Sequence, residues 1–435
     1  MSAPAAPPSR TLIKQMRDGA RRIARERIGT YRGMFLARLA RWPLKVAVDS
    51  LAGKIPRQPD LIAFGAIYNR LADNSAYLFF ALHDDPELRC VWITGSSELA
   101  RELRRAGYDA RYRWSLSGLR AATTASWYVY SFAPSDVNRW LYNGATMLNL
   151  WHGAGLKGVQ RDRDAPFDRI YSAKEGGITA RVFAEDRSSP DWFVTTSPTM
   201  SGHFGRAFAL PPERCLEFGY PRNMHLIEGR QPPAPMVDQT IYQRLSQASF
   251  VVGYFPTWRY DSRAATPEGA PDLREIAETL ERQNAVLAFK SHYASDGPGV
   301  EHPSICVLPS DADLNAYLGL CQLLITDYSS VCTDFLLLGR PIIVFVPDLE
   351  HHLATHTFVG DPVTLTPGIV ARTTDELYAL LRDVRSVPPA QNFPAALEYF
   401  WGHSEKDPVR QLAALIKSSD PCTVIDADRE PVSLP

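Results

Sequence analysis

Leu323 to Pro347 reads LLITDYSSVCTDFLLLGRPIIVFVP. Leu323-Leu324-Ile325 is an apolar run, short and bounded like a buried parallel strand. Thr326-Asp327-Tyr328-Ser329-Ser330 follows, a polar cluster rich in helix N-cap residues. Val331 to Leu338 carries a helical pattern that stops at Gly339. Pro341 then leads into a second apolar strand, Ile342 to Val346. The stretch predicts a strand–helix–strand unit. Its Ser329-Ser330 step sits where the strand's carboxyl end meets the helix N-terminus. Backbone N–H groups and the positive end of the helix dipole gather at such a point, and anions bind there. The plainer alternative is that Asp327 and the serines cap the helix.

The same alternation extends outward in both directions. Towards the carboxyl end, strands are expected over residues 250–254, 286–290 and 304–308. Helices are expected over 273–283, 314–320, 374–385 and 411–417. Towards the amino end, a helix over 75–82 with an exposed aromatic end is followed by a strand at 90–94. A helix over 98–106, closed by Gly107, comes next, and then strands at 127–132, 146–150 and 191–195. Ser197-Pro198 opens another helix. Strands alternating with helices imply an α/β protein with mostly parallel sheets and right-handed crossovers. The Pro-rich residues 231–235 mark a boundary. Four segments result: 1–55, 56–232, 233–418 and a tail, 419–435.

A chain of 435 residues with a net charge of −1 has no overall field that would suit nucleic acid. Charge is unevenly spread, because the first fifty residues are rich in Arg and Lys. Those cations alternate with Trp42, Phe35, Leu36 and Leu39 at helical spacing, which suits a helix lying on an anionic membrane surface or an Arg-rich helix packed on the protein itself. The six cysteines, Cys90, Cys215, Cys306, Cys321, Cys332 and Cys422, form no CxxC pair and read as buried reduced thiols. An apolar secretory segment is missing at the start, and no apolar window is long enough to span a membrane. The expectation is a cytoplasmic protein.

Candidate functional residues cluster at expected strand ends. Asn149-Leu150-Trp151-His152-Gly153-Ala154-Gly155-Leu156-Lys157 puts His152 just past a strand, on a loop made flexible by two glycines. A histidine suits proton abstraction near neutral pH, and Lys157 offers charge to a phosphate. Arg222 lies in the turn FGYPRN, Thr257 and Arg259 in FPTWRYD, and Lys290 and His292 in FKSH. Arginine suits bidentate phosphate recognition. Each also has a bland reading, as a structural histidine or a solvated loop cation. Their shared placement favours a phosphorylated ligand. No Walker A, no GxGxxG at a strand–helix junction and no metal-ligand spacing occur.

These segments resemble the motifs of the CDP-glycerol glycerophosphotransferases, the teichoic-acid and capsule polymerases. WHGAGLK is similar to their WHGTxLK, FGYPRN to GxPRND, FPTWRYD to APTWRD, and ITDYSSVCTDFLLLGRPIIVFVPDLE to ITDYSSxxFDFxxLxRPIIFYxxDLE. Lys290-Ser291-His292 resembles the second histidine motif, and the segment from Thr366 to Leu381 resembles the closing motif. The likeness runs in order from about residue 148 to 381. The chain departs from the pattern at Ala154-Gly155, at Tyr293 and at His356-Thr357-Phe358.

The resemblance implies a GT-B fold: two Rossmann-like domains (56–232 for acceptor, 233–418 for donor) with parallel sheets facing a central cleft, plus the basic helical N-terminal segment. It implies transfer of a polyol phosphate, glycerol phosphate first, from a CDP-activated donor to a hydroxyl of a growing teichoic-acid-like or capsule polymer, with CMP released. His152 would be the general base. Arg222, Thr257, Arg259, Lys290, His292, Thr326, Asp327, Ser329, Ser330 and Asp334 would bind the donor, and Lys157 the acceptor or its phosphate. The implied partners are CDP-glycerol or CDP-ribitol, a polyol-phosphate or glycan acceptor, lipid-linked or free, and an anionic membrane surface at the inner face of a bacterial cell membrane. No cofactor and no metal are expected. The rival readings are a GT-B transferase of CMP- or UDP-sugars and a non-catalytic membrane scaffold that holds anions.

Overall fold

The computed structural model describes residues 33, 35–155, 157–160, 182, 189–256, 270–290, 301–349, 358–359, 365, 367–389, 392–402 and 407–418. Thirteen strands form two sheets among them. The first sheet holds β1 (Gln58–Phe64), β2 (Arg89–Thr94), β3 (Ala110–Tyr112), β4 (Ala125–Tyr130), β5 (Thr146–Asn149), β6 (Trp192–Val194) and β7 (Cys215–Leu216). The second holds β8 (Val251–Phe255), β9 (Val286–Phe289), β10 (Ile305–Val307), β11 (Leu323–Thr326), β12 (Ile342–Phe345) and β13 (Ile369–Ala371).

The spatial orders are β3-β2-β1-β4-β5-β6-β7 and β10-β9-β8-β11-β12-β13. Counted from its own first strand, the second sheet runs 3-2-1-4-5-6, and the first sheet begins the same way. This is the doubly wound order, in which the chain reverses direction beside its first strand and opens a crevice at the strands' carboxyl ends. The neighbouring strands pair in parallel in both sheets.

The apolar runs build these sheets by alternation. Leu324, Ile342 and Val344 point to one face, while Leu323, Ile325, Ile343 and Phe345 point to the other. The first face belongs to a core shared by both sheets, including Trp92, Leu148, Phe335 and Trp401. The outer faces have separate cores. Helices Leu273–Glu281 and Thr374–Leu381 cover the second sheet. Helix Leu116–Thr124 covers the first.

The last two helices return to the first half of the chain. In helix Phe393–Trp401, the Phe400 and Tyr399 carbonyls accept the hydroxyls of Thr196 and Ser197. Lys417, at the end of helix Pro408–Lys417, pairs with Asp85 and Glu87 at 2.6 Å each. At the other end of the chain, residues 35–52 are helical up to Leu51-Ala52. Just beyond, the Arg57 guanidinium donates to the Ala122, Ala125 and Leu141 carbonyls at 3.0–3.2 Å.

Two expectations need correction. The helix near residue 75 spans Asp73–Leu82, and its aromatic end is buried, not exposed. Phe79 is enclosed by Phe64, Phe80, Trp92 and Tyr108, because both faces of this helix lie against protein. The central helix is shorter than the apolar pattern suggests: it runs Val331–Leu336, and Leu337 and Leu338 complete a turn before Gly339 at φ 64°. β1, β3, β7, β13 and helices Leu116–Thr124, Gln239–Ser246 and Phe393–Trp401 were not anticipated from the sequence.

Gly253, in the centre of β8, has no room for a side chain. A Cβ there would lie 2.8 Å from the Phe255 ring and 2.9 Å from Cys321 Sγ. Gly253→Ala is expected to cost about 1–3 kcal/mol through overpacking, read as a lower urea midpoint at unchanged m-value.

Candidate functional site

The carboxyl ends of the two sheets meet through side chains of opposite halves. His152 follows β5 by three residues. The chain reaches it through Trp151 at φ 55° and leaves through Gly153 at φ 152°. A bulky residue in the left-handed region costs about 1–2 kcal/mol, so the surroundings must hold Trp151 there. Its ring is buried among Phe132, Phe193, Phe204 and Phe208. Its N–H donates to Asn149 Oδ1 at 2.8 Å, and its carbonyl accepts from Asn74 Nδ2 at 2.9 Å. The His152 loop is therefore tightly held, contrary to the flexible glycine loop expected. Gly153 serves close approach instead: a Cβ on it would lie 2.9 Å from Ser330 Oγ and 3.3 Å from an Arg222 terminal nitrogen.

The His152 ring is half-buried and stands 4.1 Å from the Trp151 ring. Its Nδ1 is 3.0 Å from the Ser131 carbonyl, just beyond β4. A carbonyl can only accept, so Nδ1 carries the proton. In the neutral ring Nε2 then holds the free lone pair. Burial pushes the His152 pKa below its ordinary value, although the nearby Asp73 carboxylate and the Ser131 carbonyl pull it upward.

Arg222 sits in the turn Pro221–Asn223 and is 5% exposed. Its Nη1 donates to Asp73 Oδ1 at 2.6 Å and to the His152 carbonyl at 2.9 Å, and its Nη2 donates to Asp334 Oδ2 at 2.6 Å. Asp334 belongs to helix Val331–Leu336 of the second half. Its other oxygen accepts Asn223 Nδ2 at 2.9 Å. Asp313 lies in the same cluster and accepts the Asp73 N–H at 2.9 Å. Burial raises the pKa of Asp313 and Asp334; Asp73 adds to both, while Arg222 opposes.

The structure gathers His152, Arg222, Ser330 and Asp334 into one place. Arg222 and Asp334 face one another, however, and the Arg222 terminal nitrogens and both Asp334 oxygens hold loops together, while Arg222 Nε is buried without a hydrogen-bond partner among the described residues. Ser329 and Ser330 are half-buried beside them, with Val331 N donating to Ser329 Oγ at 3.4 Å. Thr326 is buried, and its hydroxyl donates to the Phe255 carbonyl at 2.8 Å, tying β11 to β8. Asp327 is also buried at this strand end.

Lys290 ends β9. Its Nζ donates to the Ala312 carbonyl at 2.5 Å, and Arg70 from the first half donates to the Asp311 and Ala312 carbonyls. Burial, followed by the Arg70 charge, pushes the Lys290 pKa down to about 8. Lys157 makes an antiparallel bridge with Phe358. Thr257, Arg259 and His292 lie outside the described residues, as do residues 1–32 and the tail 419–435. Cys321 and Cys332 are buried with their thiols pushed up to about 12, so they are unreactive at neutral pH. Among the described residues no His, Cys, Asp and Glu are grouped to hold a metal ion.

Asp73, Asn74, Ser75, Ser131 and Asp313 support this site and were not singled out in the sequence. The available signal was three polar residues opening a helix that is otherwise Ala76-Tyr77-Leu78-Phe79-Phe80. Arg222→Ala would leave Asp73 and Asp334 facing each other without their cation and is expected to cost about 3–5 kcal/mol of stability. Arg222→Lys should recover less than half, because one ammonium cannot replace the planar fork. Urea unfolding of both variants measures this.

The sequence and the fold have known counterparts. A family profile described as CDP-Glycerol:Poly(glycerophosphate) glycerophosphotransferase matches residues 50–392. The chain is 26% identical over 319 residues to a teichoic acid glycerol-phosphate transferase of Staphylococcus aureus, covering 69% of this chain and 77% of that one. It is 23% identical over 360 residues to a teichoic acid ribitol-phosphate primase of Bacillus spizizenii, covering 81% and 89%. The solved wall teichoic acid polymerase TagF superposes with a TM-score of 0.65 at 21% identity, over 93% of this chain and 99% of that one. The two doubly wound sheets are thus a GT-B fold. The chain belongs to the CDP-glycerol:poly(glycerophosphate) glycerophosphotransferase family, whose members are phosphotransferase enzymes of teichoic acid synthesis.

Proposed function

We propose that this protein moves a polyol phosphate from a CDP-linked donor to a hydroxyl of a growing polymer, with His152 as general base. One observation carries the reading. Nδ1 of His152 is committed to the Ser131 carbonyl, which leaves Nε2 as the acceptor, while the next residue, Gly153, lies against Ser330 of the other half. A base and a hydroxyl-bearing strand end therefore share one junction.

The acceptor hydroxyl gives its proton to Nε2 as its oxygen attacks the phosphorus that bears the polyol. The bond from that phosphorus to the bridging oxygen breaks, and CMP leaves with the electron pair. Ser329 and Ser330 would donate to the phosphate oxygens, as would Thr257, Arg259 and His292 of the matching motifs. Lys290 supplies positive charge near the Asp311–Asp313 loop. In this reading Arg222, Asp334 and Thr326 hold the site's frame, Asp327 flanks the serines, and Lys157 is offered to acceptor phosphate. Glycerol phosphate is the first choice of transferred group and ribitol phosphate the second.

Helical residues 35–52 support a membrane-surface role for the N-terminal segment. Leu36, Ala40, Leu44, Ala47 and Leu51 are all exposed along one helical face. No helix among the described residues is long and apolar enough to cross a membrane.

CMP release with CDP-glycerol and CDP-ribitol, with and without a short polyol-phosphate acceptor, tests the reaction. Acceptor-dependent CMP from one donor is expected, and silence with both would send the reading to CMP- or UDP-sugars. His152→Ala should lower turnover by at least about 10²-fold with little loss of donor binding. The neutral ring is the base, and burial lowers its pKa. The rate should therefore rise with pH and level off at a midpoint under the ordinary histidine value of about 6.5. A midpoint above 7 would contradict the assignment.

A further inference from the structure

We infer that Asp73-Asn74-Ser75, the first turn of helix Asp73–Leu82, is a positioning element that sets the ring nitrogen with which His152 takes its proton. The inference rests on the reading of His152 as base. Each of the three residues reaches a different part of the histidine's support. Ser75 N donates to Ser131 Oγ, and the two hydroxyls are 3.1 Å apart. The carbonyl of that same Ser131 receives the His152 Nδ1 proton. Asn74 Nδ2 donates to the Leu150 and Trp151 carbonyls at 3.2 and 2.9 Å, which fixes the two peptides leading into His152. Its Oδ1 accepts the Arg222 N–H at 3.1 Å, so the amide of this fully buried side chain is saturated. Asp73 holds Arg222 Nη1, which also holds the His152 carbonyl.

Two strained residues lie along these paths. Asp73 has φ 68° and Trp151 has φ 55°. Backbone strain that persists beside a dense buried polar network is characteristic of sites where geometry is over-determined. A helix cap alone would not need the Asn74 amide aimed at two carbonyls of a distant strand end. The turn instead ties the ends of β4 and β5 together around one imidazole. With Ser131 fixed, the Nδ1–H tautomer is the only neutral form that satisfies its carbonyl, and Nε2 is left free.

The test uses the full chain with ¹⁵N-labelled histidine and follows both CMP release and the His152 ring nitrogens, identified by their loss in His152→Ala. Wild type should show a single Nδ1–H tautomer. Asn74→Ala should lower kcat by about 10²-fold with donor KM within about threefold, and should give a mixed tautomer. A folded Asn74→Ala with kcat within threefold of wild type and an unchanged tautomer overturns the inference, whatever its thermal stability. If Asn74→Ala does not fold, Ser131→Ala decides: it cuts the Ser75 link, and a shifted tautomer supports the inference while an unshifted one refutes it. Full turnover in His152→Ala would sink the base assignment separately, because the tautomer is read without activity.

Discussion

The Arg222 guanidinium is at the centre of the polar contacts that join the two halves. Arg222 contacts Asp73 of the first half, Asp334 of the second, and the backbone of His152 between them. Burying such a group carries a large desolvation penalty, which the close pairs of both terminal nitrogens offset, while its Nε is buried without a hydrogen-bond partner among the described residues. The shared apolar core would hold the two sheets together without it. Apolar contact is non-directional, however, and leaves sliding cheap. The ion pairs and amide bonds around Arg222 are directional. They make one relative placement of the β5 loop and helix Val331–Leu336 much better than its neighbours. The proposed chemistry would need that placement, because His152 comes from one sheet and the serines from the other.

The surrounding cluster carries more negative charge than its cation balances. Asp73, Asp313 and Asp334 meet one Arg222, and burial raises the two carboxyls of the second half. A carboxyl whose folded pKa is raised binds its proton more tightly when folded, so its contribution to stability falls as pH rises through that value. Raising the pH through those values therefore weakens the junction, whereas the His152 ring, its pKa lowered by burial, is already neutral above its own. Lys290 and Arg70 stand beside the same Asp311–Asp313 loop and offset part of the excess.

Much of the fold is legible in the sequence where pattern is local. Leu323 to Val346 declares its strands by unbroken apolar runs and its turn by Ser329-Ser330 and Gly339. The sheet order is not legible, since β8 beside β11 is a long-range pairing that no short pattern encodes. β7 has two residues and β13 three, too short for periodicity to register. In the site, His152 and Ser330 are legible by residue type at a strand end. Arg222 and Asp334 are legible as chemistry but not as partners, because they lie 112 residues apart. Asp73, Asn74 and Ser75 look like an ordinary helix start. Their role depends on the Leu150 and Trp151 carbonyls past β5 and the Ser131 hydroxyl past β4, which only the folded chain brings near.

The strand ends also show that polar side chains there serve the backbone. Thr326 and Lys290 are a hydroxyl and an ammonium at sheet edges, and both donate to main-chain carbonyls. Strand ends leave carbonyls without ladder partners, and buried carbonyls must be satisfied. Thr326 thus serves the edge itself, at the last residue of β8, while Lys290 reaches the Asp311–Asp313 loop. Ser330 differs because its surroundings are made by a glycine. At Gly153 any Cβ would meet Ser330 Oγ at 2.9 Å, so a side chain there would push the serine helix away from the β5 loop. The missing Cβ, more than the presence of any one polar group, lets the His152 loop and the serine step of opposite sheets come together.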